Sequence, residues 1–181
     1  MTITDIPTPA YIVHETALRR NLDLITDVSR RSGAKIIMAF KANALWRTFP
    51  ILREYGIDCT ASSLNEARLG REELHAKVHA YCPAYTDATI DEFLKGSSHI
   101  TFNSLGQWER YGRRAIAAGV SPGLRVNPHC SVIETDMYNP ALPGSRFGVG
   151  ASNLPTLPEG LEGLHFHALC ESSSYDLGRV L

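Results

Sequence analysis

An unbroken apolar run leads directly into a lysine near the start of the chain. Residues 36–40 read IIMAF, and Lys41 follows at once. A short run of this kind predicts a buried strand, so we expect Lys41 at the end of that strand, beside apolar walls. Partial desolvation there would favour the neutral amine that a Schiff-base lysine requires. The alternative is a strand-end lysine whose amine simply extends to water.

Two histidines stand two residues apart in the segment LHFHAL. On a strand, His165 and His167 would point to one face and Phe166 to the other. They could bind a metal together, as in barrel hydrolases with a His-x-His strand. Alternatively, His167 could stack its ring on a flat cofactor, or both rings could be packed structural histidines.

Two charged residues fall inside predicted strands. Arg125 lies in the apolar segment LRVN, and a buried arginine needs an anionic partner. That partner could be a cofactor group, a substrate carboxylate or a structural salt bridge. Asp58 precedes Cys59 in IDCTA, and its carboxylate could orient a ligand or pair with a neighbouring helix.

A long segment rich in proline and glycine spans residues 127–150. Connections of this length in compact domains are usually functional or disordered. Its aromatic residues and the string PGSRFG favour an ordered loop over a substrate pocket. Glu134 and Asp136 within it could contact a polyamine-like cation, or could be solvated surface acids.

Strand-like and helix-like segments alternate along the chain. The patterns predict seven strands, at about residues 10–13, 35–40, 57–61, 77–82, 99–102, 123–127 and 161–169, with helices between them, including 15–31, 49–56, a segment opened by a Ser63–Glu66 capping box, and 104–118. This alternation favours a parallel α/β sheet. Since no GxGxxG follows a strand, we expect a (β/α) barrel with its chemistry at the carboxyl ends of the strands. The barrel pattern stops before it closes, which indicates either an open sheet or part of a barrel.

Composition narrows the possible partners. The chain has 181 residues, 44% of them hydrophobic, and a formal net charge of −1. This balance gives no attraction to nucleic acid or acidic membranes. No apolar run approaches the roughly 20 residues of a membrane span. The sequence also contains no CxxC pair, the spacing typical of structural zinc sites. A cytoplasmic protein is the expectation.

Several strings together resemble a known family. PTPAYIV and IIMAFKANALW resemble the alanine racemase-like, fold-type III enzymes that use pyridoxal 5′-phosphate (PLP). DCTASSLNEARLGREE, VHAYCPAY, HITFNSLGQWER, GLRVNP, MYNPALPGSRFGVG and GLHFHALCE resemble, in order along the whole chain, the carboxynorspermidine decarboxylase family. The resemblance implies a PLP-binding TIM-like barrel and a homodimer. It also implies decarboxylation of carboxynorspermidine or carboxyspermidine to norspermidine or spermidine.

The resemblance also implies roles for individual residues. Lys41 matches the lysine that binds PLP as a Schiff base, and His167 matches the histidine that stacks on the pyridine ring. Arg125, Asp58 and Cys170 match positions near the cofactor. The substrate would be bound by Glu134, Asp136, Ser145 and Arg146, the last two from the family's SRFG-type segment.

These enzymes are about twice as long as this chain. We therefore expect residues 1–181 to form the amino-terminal part of the PLP-binding barrel, without the last barrel strands and the carboxy-terminal β domain. The acidic partner of the pyridine nitrogen and most phosphate-binding glycines would lie in the missing part. On this basis the chain alone is expected to bind PLP poorly and to be inactive.

Other functions remain open. A diaminopimelate or ornithine decarboxylase would share the PLP chemistry, whereas the ANALW after Lys41 disfavours an alanine racemase. A non-catalytic PLP-carrier barrel fits the length, but its motifs around the lysine do not match. A metal-dependent barrel hydrolase would use His165 and His167 and would leave Lys41 without a role.

Overall fold

Strands and helices alternate throughout the computed structural model, which describes residues 3–181. The strands are β1 (Met38–Ala39), β2 (Cys59–Ala61), β3 (Val78–Tyr81), β4 (Ser97–Phe102), β5 (Ser121–Asn127), β6 (Val149–Gly150) and β7 (Gly163–His165). The helices are α1 (Glu15–Ser32), α2 (Phe49–Glu54), α3 (Leu64–Leu69), α4 (Ile90–Leu94), α5 (Leu105–Ala117) and α6 (Ser174–Val180). A π-helical turn, Gly70–Leu74, extends α3.

All strand pairs of the sheet are parallel. The strands from β1 to β5 pair in chain order, then β7 pairs with the middle of β5 and β6 with its last two residues. Crossovers between parallel neighbours are almost always right-handed, so strands that pair in chain order keep their helices on one face, as in a (β/α) barrel. A doubly wound sheet would instead reverse its strand order. The predicted barrel-type α/β sheet is confirmed.

The two faces of the sheet differ in chemistry because side chains alternate along each strand. One face packs against the helices through buried apolar residues, which include Cys59, Ala61, Val78, Ala80, Ile100, Phe102, Pro122 and Leu124. The opposite face lines a cavity of about 500 Å³ with polar side chains, among them Thr60, His79, Tyr81, His99, Thr101, Ser121 and His165. The hydrophobic core therefore lies between sheet and helices, and the inner face is left for polar groups.

Serine caps fix the points where strands give way to helices. Ser63 Oγ accepts a hydrogen bond from the Glu66 N–H (3.2 Å), and the Glu66 carboxylate accepts one from the Ser62 N–H. The predicted capping box is therefore present, with its return bond one residue earlier than usual. Ser104 caps α5 in the same way, through the N–H of Gln107 (3.3 Å). These caps hold the ends of β2 and β4 in place.

The predicted first strand is wrong. Residues 10–13 form no strand, and the Tyr11 side chain is 94% exposed. Ladder hydrogen bonds require a neighbouring strand, and none pairs with this segment among residues 3–181. The predicted strand at 35–40 shortens to β1 because its only partner in the described sheet is β2.

The short strand β6 lies inside the segment expected to be a loop. Val149 and Gly150 pair with the last two residues of β5. Two residues are too few to produce a recognisable alternation, so hydrophobic periodicity could not reveal this strand. Its effect is to bring the end of the long loop back to the carboxyl end of β5.

No helix within residues 3–181 is long and apolar enough to cross a membrane.

Replacing Phe102 by alanine tests the core beneath the site. Phe102 is fully buried and meets the rings of Tyr85 and Trp108 edge to face. Loss of this side chain should lower the free energy of unfolding by about 3–5 kcal/mol. Urea denaturation followed by circular dichroism measures this. The Tyr175→Ala control, at a side chain 85% exposed, should cost less than about 0.5 kcal/mol; equal losses in the two variants would contradict the assigned core.

Candidate active site at the carboxyl edge of the sheet

Lys41 follows β1 directly, at the edge where the parallel strands end. It lies in a turn closed by the hydrogen bond from the Ala42 N–H to the Ala39 carbonyl (3.0 Å). Its side chain is exposed, so the partial desolvation expected from the sequence is absent in the structure. The turn leaves the amine accessible at the carboxyl edge.

Arg125, His165 and His167 reach the same edge from two other strands. Arg125 pairs in register with His165, the last residue of β7, and His167 follows two residues later. Burial, together with the charges of Arg125, His167 and Lys41, lowers the pKa of His165 to about 4. Burial also lowers the pKa of His167, again with help from the charges of Lys41 and Arg125. His165 and His167 therefore lie, as neutral rings, in the positive field of Lys41 and Arg125.

No carboxylate balances this field within the described part of the chain. Neither Lys41 nor Arg125 forms an ion pair among residues 3–181. The Nε2 atom of His165 is buried and has no hydrogen-bond partner among these residues. A locus with unpaired positive charge and an unused imidazole nitrogen suits an anionic ligand.

The Arg125 guanidinium is buried, with 5% of the residue exposed, and is held by uncharged groups. Its Nη1 donates a hydrogen bond to the Tyr81 hydroxyl. Its Cζ lies 5.0 Å from the centre of the Tyr81 ring and 4.7 Å from that of Phe147. These cation–π contacts and one hydrogen bond fix the group without neutralising it.

Asn103 fastens the SRFG segment beside Arg125. Its Oδ1 accepts hydrogen bonds from the Tyr81 hydroxyl (2.9 Å) and the Gly148 N–H (3.0 Å). Its Nδ2 donates to the Arg146 carbonyl (2.8 Å). Sequence reasoning overlooked Tyr81 and Asn103. The available signal was a polar side chain at the end of each of two apolar strands.

The structure gives Ser145 and Arg146 local roles. The Ser145 hydroxyl donates to the Pro140 carbonyl (2.6 Å) and accepts from the Phe147 N–H (3.2 Å). Arg146 contributes its backbone carbonyl to Asn103, while its side chain is exposed. Both residues shape the loop, and their predicted contact with substrate stays a prediction.

A second cavity, of about 640 Å³, adjoins the long loop. Glu134 and Cys170 line it, together with Val132, Ile133, Thr135, Tyr138 and Glu171. Cys170 Sγ lies 3.7 Å from His167 Nε2, which connects this cavity to the carboxyl edge. Asp136 lies instead on the exposed 3-10 turn Asp136–Tyr138 and does not line the cavity. The structure thus brings Glu134, and not Asp136, to Cys170.

Asp58 lies at the opposite end of the sheet. It precedes β2, so it sits where that strand begins. Its carboxylate pairs with Lys35 and accepts a hydrogen bond from the Lys77 N–H (3.2 Å). The structure does not bring Asp58 to the other predicted cofactor residues. Asp58 forms a structural ion pair, but with Lys35 in the segment before β1 and not with a neighbouring helix.

Comparisons with known proteins agree with this arrangement. No family model matches the chain. The chain is 40% identical over 180 residues to the carboxyaminopropylagmatine decarboxylase of Synechocystis sp., covering 99% of this chain and 46% of that protein. It is 39% identical over 177 residues to the carboxynorspermidine/carboxyspermidine decarboxylase of Campylobacter jejuni, covering 97% of this chain and 46% of that protein.

A solved structure matches as well. The carboxynorspermidine decarboxylase of Campylobacter jejuni, crystallised with norspermidine, aligns with a TM-score of 0.84 at 37% identity, over 97% of this chain and 45% of that one. The chain is a relative of the carboxynorspermidine decarboxylases. It spans about half the length of these decarboxylases. The resemblance noted in the sequence is confirmed.

Two glycines of the SRFG region test how the carboxyl edge is packed. Gly148 and Gly144 both have a φ of +82°, but a Cβ on Gly148 would lie 2.9 Å from the Val126 carbonyl carbon, whereas one on Gly144 meets nothing within 4 Å. Gly144→Ala should cost about 1 kcal/mol for its backbone conformation. Gly148→Ala should cost about 2 kcal/mol more through the clash. Urea denaturation measures both, and equal costs would rule out the close approach of this segment to β5.

Because two inward-facing histidines have lowered pKa values, we expect the protein to lose stability in mild acid. Burial, helped by the charges of His99 and Lys35 and opposed by that of Asp58, lowers the pKa of His79 to about 4. The pKa of His165 is also lowered to about 4, mainly by burial. The unfolded chain takes up these protons near pH 6.5, so stability should fall as the pH drops from about 6.5 toward 4. Protonation of carboxylates changes the stability mainly below about pH 4.5.

The measurement is urea unfolding at about pH 7.5 and about pH 5. His79→Gln should reduce the loss of stability between these two values. An NMR titration of the His79 ring in the wild-type protein should give a midpoint near 4. A midpoint near 6.5, or an unchanged loss in the variant, would contradict the assignment.

Proposed function

We propose that the protein acts in the PLP-dependent decarboxylation of carboxynorspermidine or carboxyspermidine, which yields norspermidine or spermidine. The observation that carries this proposal is the positive charge of Lys41 and Arg125 beside the rings of His165 and His167 at the carboxyl edge, where neither cation is paired with a carboxylate of residues 3–181. The relation to carboxynorspermidine decarboxylases supports it. A cytoplasmic location and a homodimer are further proposals from that relation.

The residues present fit PLP. This cofactor combines an aldehyde, a flat ring and a phosphate, so its site needs an amine, a ring contact and positive charge. Lys41 would supply the amine, His167 a half-buried ring, and Arg125 a fixed positive charge. The Nε2 atom of His165, buried and without a partner among residues 3–181, adds a hydrogen-bonding group at the same edge. Asp58 has no part in this site.

PLP, when bound, provides the electron sink for the pair left at Cα as CO₂ departs. The chain's own residues hold and orient the reactants. Arg125 would bind an anionic oxygen of the cofactor or the substrate. The burial that keeps His165 neutral leaves it able to accept a hydrogen bond. Orientation of this kind is the main contribution of the protein to cofactor chemistry.

The loop cavity suits the cationic end of the substrate. Glu134 and Glu171 line it, and Cys170 connects it to His167. A carboxylated triamine carries its α-amino acid at one end and amines along the rest. We propose that the amino acid end binds near Lys41 and that Glu134 faces the amine chain. Asp136, on its exposed turn, would act only at longer range.

A related substrate deserves a direct comparison. The Synechocystis relative, at 40% identity, is a carboxyaminopropylagmatine decarboxylase. That substrate would also place a carboxylated end beside Lys41, but its distal group is a guanidinium. Assays with carboxynorspermidine, carboxyspermidine, carboxyaminopropylagmatine, diaminopimelate and ornithine, side by side, distinguish these possibilities. Preference for diaminopimelate or ornithine would overturn the proposed substrate class.

The metal-dependent hydrolase is opposed by charge. His165 and His167 lie in the positive field of Arg125 and Lys41, which would repel a metal cation. Within residues 3–181, no cluster of three or more His, Cys, Asp or Glu residues could hold a metal ion. A PLP carrier without catalysis is distinguished from the proposed enzyme by assaying turnover.

Covalent capture of the cofactor tests the central role of Lys41. The full-length protein is incubated with PLP and reduced with borohydride, and its peptides are analysed by mass spectrometry. We expect PLP on the peptide that contains Lys41, because its amine is the accessible one at the site. Lys41→Ala should abolish this adduct and any decarboxylation.

Lys35 provides the matched control. It lies six residues earlier and is paired with Asp58 at the other end of the sheet. Lys35→Ala should keep the adduct. Labelling of Lys35 in preference to Lys41, or equal labelling in the Lys41→Ala variant, would refute the proposed cofactor site.

A further inference from the structure

We propose that Tyr81 is a positioning residue, whose hydroxyl aims the Arg125 guanidinium at an oxyanion of the ligand. The ligand group is a phosphate or carboxylate oxygen, from the cofactor or from the substrate. This inference deepens the proposed function and rests on it. No role was assigned to Tyr81 by its sequence pattern.

The direction of each hydrogen bond in the network is fixed by chemistry. Arginine can only donate, so the Tyr81 oxygen must accept from Arg125 Nη1. The Tyr81 proton is then free to point at Asn103 Oδ1, 2.9 Å away. Asn103 Nδ2 donates to the Arg146 carbonyl, which fixes the orientation of the amide. In this hydrogen-bond network Arg125 therefore donates to Tyr81, and Tyr81 donates to Asn103.

The rings on either side restrict the guanidinium further. Its Cζ lies 5.0 Å from the Tyr81 ring centre and 4.7 Å from that of Phe147. Phe147 is held in place because its neighbours Arg146 and Gly148 are both bonded to Asn103. Tyr81 thus contacts the guanidinium in two ways. Its ring provides a π face, and its hydroxyl accepts a hydrogen bond that fixes how the guanidinium is turned within its own plane.

The remaining donors of Arg125 are available for a ligand. A guanidinium has five N–H donors, and the hydrogen bond to Tyr81 is the one that its side chain forms within residues 3–181. The group is buried and has no carboxylate partner there. A fixed guanidinium with free N–H groups binds phosphate or carboxylate oxygens in a bidentate manner.

Tyr85 is a matched control for Tyr81. Its hydroxyl also bridges two groups, accepting from the Cys82 N–H (3.0 Å) and donating to the Thr101 carbonyl (3.2 Å). It is 5% exposed, and neither bond involves Arg125. Tyr85→Phe therefore removes a comparable buried hydroxyl without touching the guanidinium.

The test compares Tyr81→Phe with Tyr85→Phe in the full-length protein, in which PLP binding and turnover can both be measured. Tyr81→Phe keeps the ring and removes only the hydroxyl. We expect it to weaken binding of the oxyanion by about tenfold, the loss typical of one charge-assisted hydrogen bond. A higher Kd for PLP in a spectroscopic titration, with binding of phosphate-free pyridoxal unchanged, identifies the cofactor phosphate as the ligand. A higher KM with unchanged PLP affinity identifies the substrate carboxylate.

Two outcomes overturn the proposal. Tyr81→Phe that leaves both the Kd for PLP and the KM within about twofold shows that the hydroxyl does not position Arg125. An equal loss in Tyr85→Phe shows a general effect of removing a buried hydroxyl. Urea denaturation of both variants checks that each remains folded under the assay conditions.

A third measurement separates this proposal from the proposed function. The Arg125 Nε–H resonance is followed by NMR while inorganic phosphate is added to the protein without cofactor. Phosphate should shift this resonance in both proteins, and the wild type should need an about tenfold lower phosphate concentration than Tyr81→Phe. If PLP fails to label Lys41 but this difference is found, the proposed function fails and the role of Tyr81 stands. Equal phosphate affinities overturn the role of Tyr81.

Discussion

The buried guanidinium of Arg125 is the group on which the arrangement of the carboxyl edge depends. A buried charge must be compensated, and here a tyrosine hydroxyl and two aromatic rings do this in place of a carboxylate. Each of these groups must itself be held. Tyr81 is held by Asn103, and Asn103 also binds the segment that carries Phe147. One buried charge thereby organises residues from three strands and the long loop.

Parallel pairing explains why these residues meet. When all strands run in one direction, their carboxyl ends share one edge, and residues distant in sequence become neighbours there. Lys41 follows β1, Arg125 lies toward the end of β5, and His167 follows β7. The same rule separates Asp58 from them, because Asp58 precedes its strand. Paired with Lys35, it has a charge partner of its own, whereas Lys41 and Arg125 have none in the described chain.

The polar inner face differs from an ordinary hydrophobic core. His79 and His99 stack there with ring centres 4.1 Å apart, and the Nε2 atom of His79 is buried without a partner among residues 3–181. Neutral imidazoles tolerate this surrounding, while protonated ones do not. The apolar contacts that stabilise the sheet lie on the other face, around Phe102. Stability and chemistry are thus assigned to opposite faces of the same strands.

Much of the fold was predictable from local pattern. The helix at 15–31, the Ser63 cap and most strands follow from periodicity and capping chemistry, which act within a few residues. The strand predicted at 10–13 failed because strand formation depends on a distant partner, and β6 escaped notice because two residues carry no periodicity. Among site residues, Lys41, Arg125 and His167 were candidates because each is a basic group in or beside an apolar strand, but their cofactor roles were implied only by the family resemblance. Tyr81 and Asn103 have ordinary side chains, whose importance arises only from what they touch.

The sequence by itself determined the alternation of strands and helices, the lysine after the first apolar strand and the resemblance to carboxynorspermidine decarboxylases. These are properties of short segments read in order. Only the tertiary structure decided that Asp58 lies at the far end of the sheet, that Glu134 and not Asp136 joins Cys170, and that Tyr81 holds Arg125. The physical reason is that strand register and loop packing bring together groups more than 40 residues apart in the chain, such as Tyr81 and Arg125. No local pattern records that proximity.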